Sequence, residues 1–180
     1  MENVLSIAPA SYAELPEVAS IHVTSWRETY VGQVPQSYLD SLDIEERLAK
    51  WRQEFGRAEY RELLLARVNG TAAGFISFGL ARDDDRRSDA EIYAVYLLRQ
   101  HWRAGIGYRL YKAACSILYD KGFRRAYLWV LESDLRTIAA YERWGGVLEA
   151  GRVKGHVICG QPVKEISVLF DLAEPVHERV

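Results

Sequence analysis

Two glycines one residue apart, Gly105 and Gly107, follow an apolar segment and open a stretch with helical periodicity. A helix start exposes backbone N–H groups that lack a partner within the helix, together with the positive end of the helix dipole, so it can bind a phosphate or pyrophosphate. Glycine lacks the Cβ atom that would keep such an anion away. Simple packing at a helix start explains the same two glycines equally well. The spacing alone therefore predicts an anion site without identifying the anion.

Two nucleotide-binding motifs do not fit this segment. A dinucleotide fingerprint would have a third glycine where Leu110 stands. A P-loop would contain Gly-Lys-Ser or Gly-Lys-Thr, which the sequence lacks. Other elements of the chain must therefore indicate what the glycines bind.

The first half of the chain predicts a strand, two helices and a β-hairpin. Helical spacing of apolar residues, an N-cap pair at Asp43 and Glu46, and the turn pair Asn69-Gly70 are the signals. The predicted elements are a strand from Leu5, a helix Leu15–Tyr30, a helix from Asp43 to Phe55, and hairpin strands Glu62–Val68 and Ala72–Ala81. The aromatic side chains Trp26, Tyr30 and Trp51 either pack in the core or line a pocket.

The second half alternates strands and helices. The tract Arg82–Asp89 mixes arginines with aspartates and predicts a solvated loop rather than a metal site, because the arginines would compete for the carboxylates. Cys115 falls mid-helix, where an inert core thiol is expected, and His177 falls in a loose tail. The predicted elements are a strand Ala90–Leu97, a helix from Gly105 to Gly122, a strand Arg125–Leu131, a helix Leu135–Trp144, and β segments Val147–Cys159 and Val163–Leu172 joined by a turn at Gly160–Pro162.

Length, charge and cysteine content narrow the class of protein. The 180 residues suit one domain, and 49% hydrophobic with 27% charged residues excludes a disordered or collagen-like chain. With 23 Lys and Arg against 25 Asp and Glu, the chain lacks the positive excess that nucleic acids or anionic membranes attract. We therefore expect a small-molecule or protein partner, with no nucleic acid and no membrane.

The cellular setting is predicted from the same composition. Cys115 and Cys159 are the only cysteines, too few for a disulfide framework or a structural zinc site. No apolar run approaches the ~18 residues of a membrane span, and the N-terminus lacks the features of a secretory signal. We expect a cytoplasmic chain that binds no metal.

Two segments resemble the acetyl-CoA motifs of the GNAT superfamily of N-acetyltransferases. The family pattern is a strand ending in Leu/Val-Tyr-Val and a loop with Gln/Arg-x-x-Gly-x-Gly/Ala, and Val95–Leu97 and Trp102–Gly107 occupy those places. Downstream, Tyr127–Asp134 and Ile138–Gly145 are similar to the family's second CoA segment, usually Asn-x-x-Ala-x-x-x-Tyr-x-x-x-Gly-Phe. The order of predicted elements also matches, so the resemblance covers nearly the whole chain.

The resemblance implies an α/β (α+β) single-domain fold over residues 1–172, followed by a tail over 173–180. Its sheet would be mixed and mostly antiparallel, flanked by helices, and splayed at the acetyl-CoA site between the strands that end at Leu97 and Leu131. It implies acetyl-CoA as co-substrate. The residues that it assigns to cofactor binding are Tyr96, Leu97, Leu98, Trp102, Arg103, Ala104, Gly105, Ile106, Gly107, Tyr108, Asp134 and Tyr141.

The chain departs from the family pattern at four positions. Trp102 replaces the Gln/Arg of the phosphate loop, which matters little if the loop works through backbone N–H groups. Asp134 replaces the common Asn and puts a side-chain amide contact to the CoA arm in doubt. Thr137 and Gly146 replace the common Ala and Phe, with packing consequences.

The resemblance also implies direct acetyl transfer from the thioester to an amine. A backbone N–H near Tyr96 or Leu97 would stabilise the oxyanion, and Tyr141 matches the tyrosine that protonates the departing thiolate. A phenol of pKa about 10 is a weaker acid than a thiol of about 8.5, so full proton transfer needs a lowered tyrosine pKa. Tyr141 is therefore expected to act largely as a hydrogen-bond donor, unless it is simply a packed core tyrosine.

An amine acceptor arrives mostly protonated at neutral pH, so a base must remove its proton. Glu91 is the candidate, since strict strand alternation places it on one face with Tyr93, Val95 and Leu97. A solvated strand end or an ion-pair partner explains the residue equally well. Weaker candidates are Glu132, His22 and His156.

The acceptor is expected to meet Trp26, Arg27, Tyr30, Tyr38 and the connection 154–161. Aromatic side chains suit a small amine or the end of a peptide, and nothing in them separates these classes. The function predicted is transfer of acetyl from acetyl-CoA to a primary amine of a small molecule, a peptide or a protein. The alternative is a catalytically silent acyl-CoA-binding or regulatory domain. A homodimer formed through the C-terminal strands is a further family-level expectation.

Overall fold

Seven strands form one mixed sheet in the computed structural model, which describes residues 4–55 and 61–174. The strands are β1 (Leu5–Pro9), β2 (Glu62–Val68), β3 (Thr71–Leu80), β4 (Ala90–Leu97), β5 (Arg125–Leu131), β6 (Val147–Ile158) and β7 (Gln161–Asp171). Their order across the sheet is β1-β2-β3-β4-β5-β7-β6. All neighbouring pairs are antiparallel except β4 and β5, which are parallel.

Five α-helices in the described part of the chain cover the two faces of this sheet. They are α1 (Leu15–Thr29), α2 (Gln36–Ser41), α3 (Ile44–Phe55), α4 (Ile106–Asp120) and α5 (Leu135–Arg143). The first three pack on one face, where two apolar clusters form around Phe75 and Leu39. The other two pack on the opposite face, over the largest cluster, which contains Leu110 and Phe170. The sheet is thereby buried on both sides.

Local sequence signals account for the helix boundaries. Pro16 stands in the first turn of α1, where its missing N–H costs nothing. The Asp43 carboxylate accepts a hydrogen bond from the Glu46 N–H at 2.9 Å and begins α3. The Asp134 carboxylate does the same for α5 through the Thr137 N–H at 3.2 Å.

A β-bulge in β4 changes which side chains share a face. Ser77 of β3 pairs with Ala94 and Phe78 pairs with Ile92, so Tyr93 is an extra residue in β4. Ile92 and Val95 consequently lie on the same face, against the α4 cluster. The predicted strict alternation is therefore wrong across the bulge. Glu91 lies on the opposite side from Val95 and Leu97.

Most predicted elements are confirmed within two residues of their bounds, and the predicted α/β fold class is confirmed. The short helix α2 was not predicted, and Pro162 lies in β7, paired with Val157, rather than in the turn. The predicted solvated loop is also partly wrong, because Arg86 and Asp89 are each only 4% exposed. Arg86 forms ion pairs with Asp89 and Glu149.

Two smaller predictions complete the comparison. Cys115 is buried as predicted, and burial raises the pKa of its thiol to about 11, consistent with an inert side chain. His177 and most of the predicted tail lie outside the described residues. The domain boundary at residue 172 stays a prediction.

Candidate functional site

The parallel strands β4 and β5 separate after their first two residues. Ala90 pairs with Ala126 and Glu91 pairs with Tyr127, and no later residue of β4 pairs with β5. A cavity of about 590 Å³ opens in the gap. Its walls include Tyr30 from the α1 side of the sheet and Tyr141 from the α5 side. The cavity therefore passes through the sheet, as the resemblance implied.

One end of the cavity is the start of α4. Gly105 is the N-cap residue with a φ of 76°, and no side chain caps the helix. Arg109 donates the first helical hydrogen bond, to the Gly105 carbonyl at 3.1 Å. The N–H groups of residues 106–108 precede it and have no acceptor within the helix. This end can bind an anion through backbone groups.

Gly107 is also required for packing. A Cβ atom there would lie 3.1 Å from Leu97 Cδ1 and 3.3 Å from Trp144 Cη2, both tighter than ordinary contacts. The packing explanation of the glycine pair is therefore confirmed for Gly107, and anion binding stays a prediction. Gly105 permits the left-handed turn before the helix, whereas Gly107 lets α4 lie against β4 and Trp144.

The loop before α4 is anchored by Trp102. Its indole N–H donates to the Leu97 carbonyl at 2.9 Å, and the Arg136 guanidinium lies 3.9 Å above its ring. Arg103, Arg136 and Arg143 all line the cavity. The cavity therefore has three guanidinium groups in its walls in addition to the helix start.

The edge of β4 presents unpaired donors to the gap. Leu98 donates its N–H to the Ala73 carbonyl of the segment beside it, at 3.0 Å. Because successive N–H groups of a strand point to opposite edges, those of Val95 and Leu97 point away from β3, towards β5. Of the two N–H groups named by sequence reasoning, that of Leu97 therefore faces the gap, and that of Tyr96 faces β3.

Tyr141 lines the cavity from α5 and is 7% exposed. Its ring packs edge-on to Trp144 at 5.3 Å. Burial raises the pKa of the Tyr141 hydroxyl well above its usual range. The hydroxyl makes no hydrogen bond with any of the residues that the structure describes, so it is available to a molecule in the cavity.

Glu91 is 1% exposed, and its carboxylate is hydrogen-bonded to neighbouring residues. Its carboxylate accepts hydrogen bonds from the Arg82 N–H at 2.9 Å, from the Arg82 guanidinium at 2.5 Å and from the Tyr127 hydroxyl at 3.1 Å. It does not line the cavity. It lies on the α1 side of the sheet.

Most of the predicted cofactor residues meet at the cavity. Those that line it are Tyr96, Leu97, Trp102, Arg103, Gly105, Ile106, Gly107, Tyr108 and Tyr141. Leu98, Ala104 and Asp134 do not line it, and both Asp134 carboxylate oxygens bond Thr137, through its N–H and its hydroxyl at 2.6 Å. Their predicted contacts with the cofactor stay predictions.

The residues predicted to meet the acceptor divide into two groups. Tyr30 lines the cavity, and Trp26 donates its indole N–H to the Tyr96 hydroxyl at 2.8 Å. Arg27 instead donates to the carbonyls of Leu39 and Leu42, at 3.1 and 2.6 Å, and so holds α2 in place. Further from the cavity, Tyr38 packs on Trp26 at 5.9 Å and Lys154 pairs with Asp83.

The other candidate bases lie apart from the cavity walls. Glu132 is exposed beyond the end of β5. His156 is exposed and pairs with Glu165 at 2.8 Å. His22 is buried in α1, and burial, reinforced by Arg47, lowers the pKa of its imidazole to about 3. His22 is therefore neutral at physiological pH.

Sequence reasoning missed Arg136, Arg143, Trp144 and Tyr93, all of which line the cavity. The two arginines stand seven residues apart in α5, which is two helical turns, so the sequence could have shown that they share a face. The position of Tyr93 depends on the bulge and could not have been predicted from the sequence. Within the described ranges, no three His, Cys, Asp or Glu side chains could hold a metal ion.

No helix among the described residues is long and apolar enough to cross a membrane.

Comparison with known proteins agrees with this geometry. The model of the acetyltransferase (GNAT) family matches residues 19–146. The chain is 31% identical over 131 residues, which is 73% of this chain and 74% of the relative, to the uncharacterized N-acetyltransferase YuaI of Bacillus subtilis.

Solved structures share the fold at low sequence identity. PaiA N-acetyltransferase of Thermoplasma acidophilum in complex with coenzyme A aligns with a TM-score of 0.75 at 21% identity, over 93% of this chain and 99% of that one. The yncA protein of Salmonella typhimurium with its cofactor acetyl-CoA aligns with a TM-score of 0.68 at 21% identity, over 99% of both chains.

Proposed function

This chain belongs to the GNAT family of acetyltransferases, and we propose that the gap between β4 and β5 is where it transfers acetyl from acetyl-CoA to a primary amine. The observation that carries the proposal is the separation of the two strands around a cavity whose far end is the uncapped start of α4. A small molecule or the end of a peptide fits this site as acceptor.

The described residues suit acetyl-CoA as the co-substrate. We assign the pyrophosphate to the N–H groups at the start of α4, with Arg103, Arg136 and Arg143 supplying positive charge. The pantetheine arm would lie along the edge of β4 that faces the gap, as an added strand does, with the Leu97 N–H left for the thioester carbonyl. When bound, the co-substrate supplies an acetyl group activated as a thioester.

The Leu97 N–H is proposed as the donor to the oxygen that becomes negative when the amine attacks. Tyr141 is proposed to donate a hydrogen bond to the departing sulfur. Because burial raises the pKa of Tyr141, full transfer of its proton is unfavourable, and the hydroxyl stabilises charge while keeping its proton. No covalent acetyl-protein is needed.

Glu91 remains our candidate for the base that deprotonates the amine. In support, the β-bulge places it on the α1 side of the sheet, with Ala94 and Tyr96 on the same face. Its contacts with Arg82 and Tyr127 hold the carboxylate behind the cavity wall, so the proton must reach it through an intervening water. Arg82 fixes its orientation.

A screen of amine classes with acetyl-CoA, read out by release of the CoA thiol, tests the proposed function. We expect release to depend on at least one class of small amine or peptide N-terminus. Thiol release that no amine accelerates, in a protein that binds acetyl-CoA, would instead support the catalytically silent alternative and contradict the proposal.

Two predictions on the setting of the enzyme stay open to test. The homodimer is consistent with the exposed valines of the edge strand β6, Val147, Val153 and Val157, and sedimentation of the protein would measure it. The cytoplasmic location is a prediction that fractionation of cells would check.

A further inference from the structure

A second cavity of about 150 Å³ lies on the α1 side of the sheet. Its walls come from α1, α3, β3 and β4, and include His22, Arg47, Lys50, Trp51 and Ser77. It shares two wall residues, Tyr93 and Ala94, with the large cavity. The two cavities therefore lie next to each other at the bulge of β4.

The walls of this second cavity carry an excess of positive charge. Arg47, Lys50, Arg61 and Arg82 line it, against one wall carboxylate, Glu54. Arg61 pairs with Glu54, and Arg82 pairs with the buried Glu91. Arg47 and Lys50 form no ion pair with any residue in the described ranges, although Arg47 is close enough to His22 to depress the pKa of that imidazole. Among the described residues, these two cations therefore have no ion-pair partner.

Three buried polar atoms belong to wall residues and have no partner in the described structure: His22 Nδ1, Trp51 Nε1 and Ser77 Oγ. The three residues are 9%, 5% and 1% exposed. Buried polar groups in native proteins are nearly always hydrogen-bonded, and an indole N–H can only donate. These atoms lie behind the cavity surface, and it is the cations on the wall, Arg47 and Lys50, that indicate that an anion completes the site.

We propose that the second cavity binds a carboxylate group of the acceptor, so that the enzyme acetylates amines that carry a carboxylate at their far end. This inference rests on the proposed function, because it places the amine of the same molecule in the gap between β4 and β5. Arg47 and Lys50 supply the charge that attracts the carboxylate.

Matched acceptors test the inference. Linear ω-amino acids are compared with carboxamides of the same length, which differ only in the charge at the far end. Loss of a charged hydrogen-bond partner predicts a kcat/KM at least about tenfold higher for the acid than for the amide at the preferred length. Equal rates for acid and amide, or acetylation of uncharged amines with none of the acids accepted, would overturn the inference.

Substitutions in α3 distinguish a role in carboxylate binding from a role in folding. Arg47→Gln should raise KM for the acid about tenfold and leave KM for the amide unchanged. Arg52→Gln is the matched control, because Arg52 is exposed on the same helix and does not line the cavity. An equal loss for acid and amide in Arg47→Gln would contradict the assignment of Arg47 to carboxylate binding.

Binding of glutarate gives a readout that does not depend on turnover. We expect calorimetry to show one glutarate per parent chain and an affinity about tenfold weaker for Arg47→Gln. If amines are acetylated but glutarate does not bind, the inference fails and the proposed function stands. If glutarate binds as expected but no amine is acetylated, the proposed function fails and the anion site stands.

Discussion

Arg82 and Glu91 form an ion pair across the β3–β4 connection, with the Glu91 carboxylate 1% exposed and the Arg82 side chain 59% exposed. Arg82 lines the second cavity while Glu91 lies behind it. The pair therefore connects the candidate base to the wall of the cavity in which we propose that the acceptor's carboxylate binds.

Glu91→Gln tests the role of that carboxylate while keeping its size. If Glu91 is the base, kcat/KM at neutral pH should fall about 100-fold and recover in part at high pH, where more of the amine is already neutral. Glu132→Gln is the control, because Glu132 is exposed and lines neither cavity. A fall of the same size at every pH would show that Glu91 only positions Arg82 and the strand.

The proposed anion site at the start of α4 is tested by comparing Ala104→Glu with Ala104→Gln. Ala104 is exposed directly before the N-cap, whereas Gly107 is buried against Leu97 and Trp144, so a substitution there would disturb packing. The added carboxylate should weaken CoA binding about fivefold relative to the neutral glutamine, because it opposes the helix start. Titration with CoA measures the affinity of each variant. Equal affinities would show that the pyrophosphate binds elsewhere.

Tyr141→Phe removes the donor proposed for the leaving sulfur and keeps the ring that packs on Trp144. The value of kcat should fall at least about tenfold with acetyl-CoA affinity unchanged. Because the pKa of Tyr141 is raised, its ionisation should not limit the parent rate at alkaline pH. Tyr111→Phe, a buried α4 position outside the cavity, is the control. Parent-like turnover with chemistry rate-limiting would exclude Tyr141 from the mechanism.

His22 predicts a pH dependence of stability. Its pKa is lowered from 6.5 to about 3 in the folded chain, so between these values the unfolded chain binds more protons. The free energy of unfolding should therefore fall as pH drops below 6.5, by up to about 1.4 kcal/mol per pH unit from this group. His22→Phe should remove that slope in urea unfolding, whereas the exposed His156→Gln should keep it. An unchanged slope in His22→Phe would contradict the burial argument.

Periodicity along the chain was enough to predict most of the fold. The apolar faces of α1, α3 and α4 recur at helical spacing, and the turn pair Asn69-Gly70 identifies the β2–β3 hairpin. The six-residue helix α2 was missed because it buries only Leu39 and so shows no repeating apolar face.

The site was predictable only in part, because its geometry depends on contacts between distant segments. The bulge at Tyr93 follows from the pairing of β4 with β3, which no local pattern in β4 reveals, and it reversed the predicted face of Glu91. The role of Trp102 likewise depends on Leu97 and Arg136. The charged second cavity joins α3 to β3 and β4, and therefore appears only in the folded chain.

Direct transfer in the gap between β4 and β5 is the central claim, and a single-turnover experiment tests it most directly. Protein, acetyl-CoA and an accepted amine are mixed and quenched, and the released thiol, the acetylated amine and the mass of the protein are measured together. We predict that thiol release requires the amine, that each thiol is matched by one acetylated amine, and that the protein never gains an acetyl group. Thiol release at the same rate without the amine, or an acetyl group on the protein before the product forms, would contradict the account.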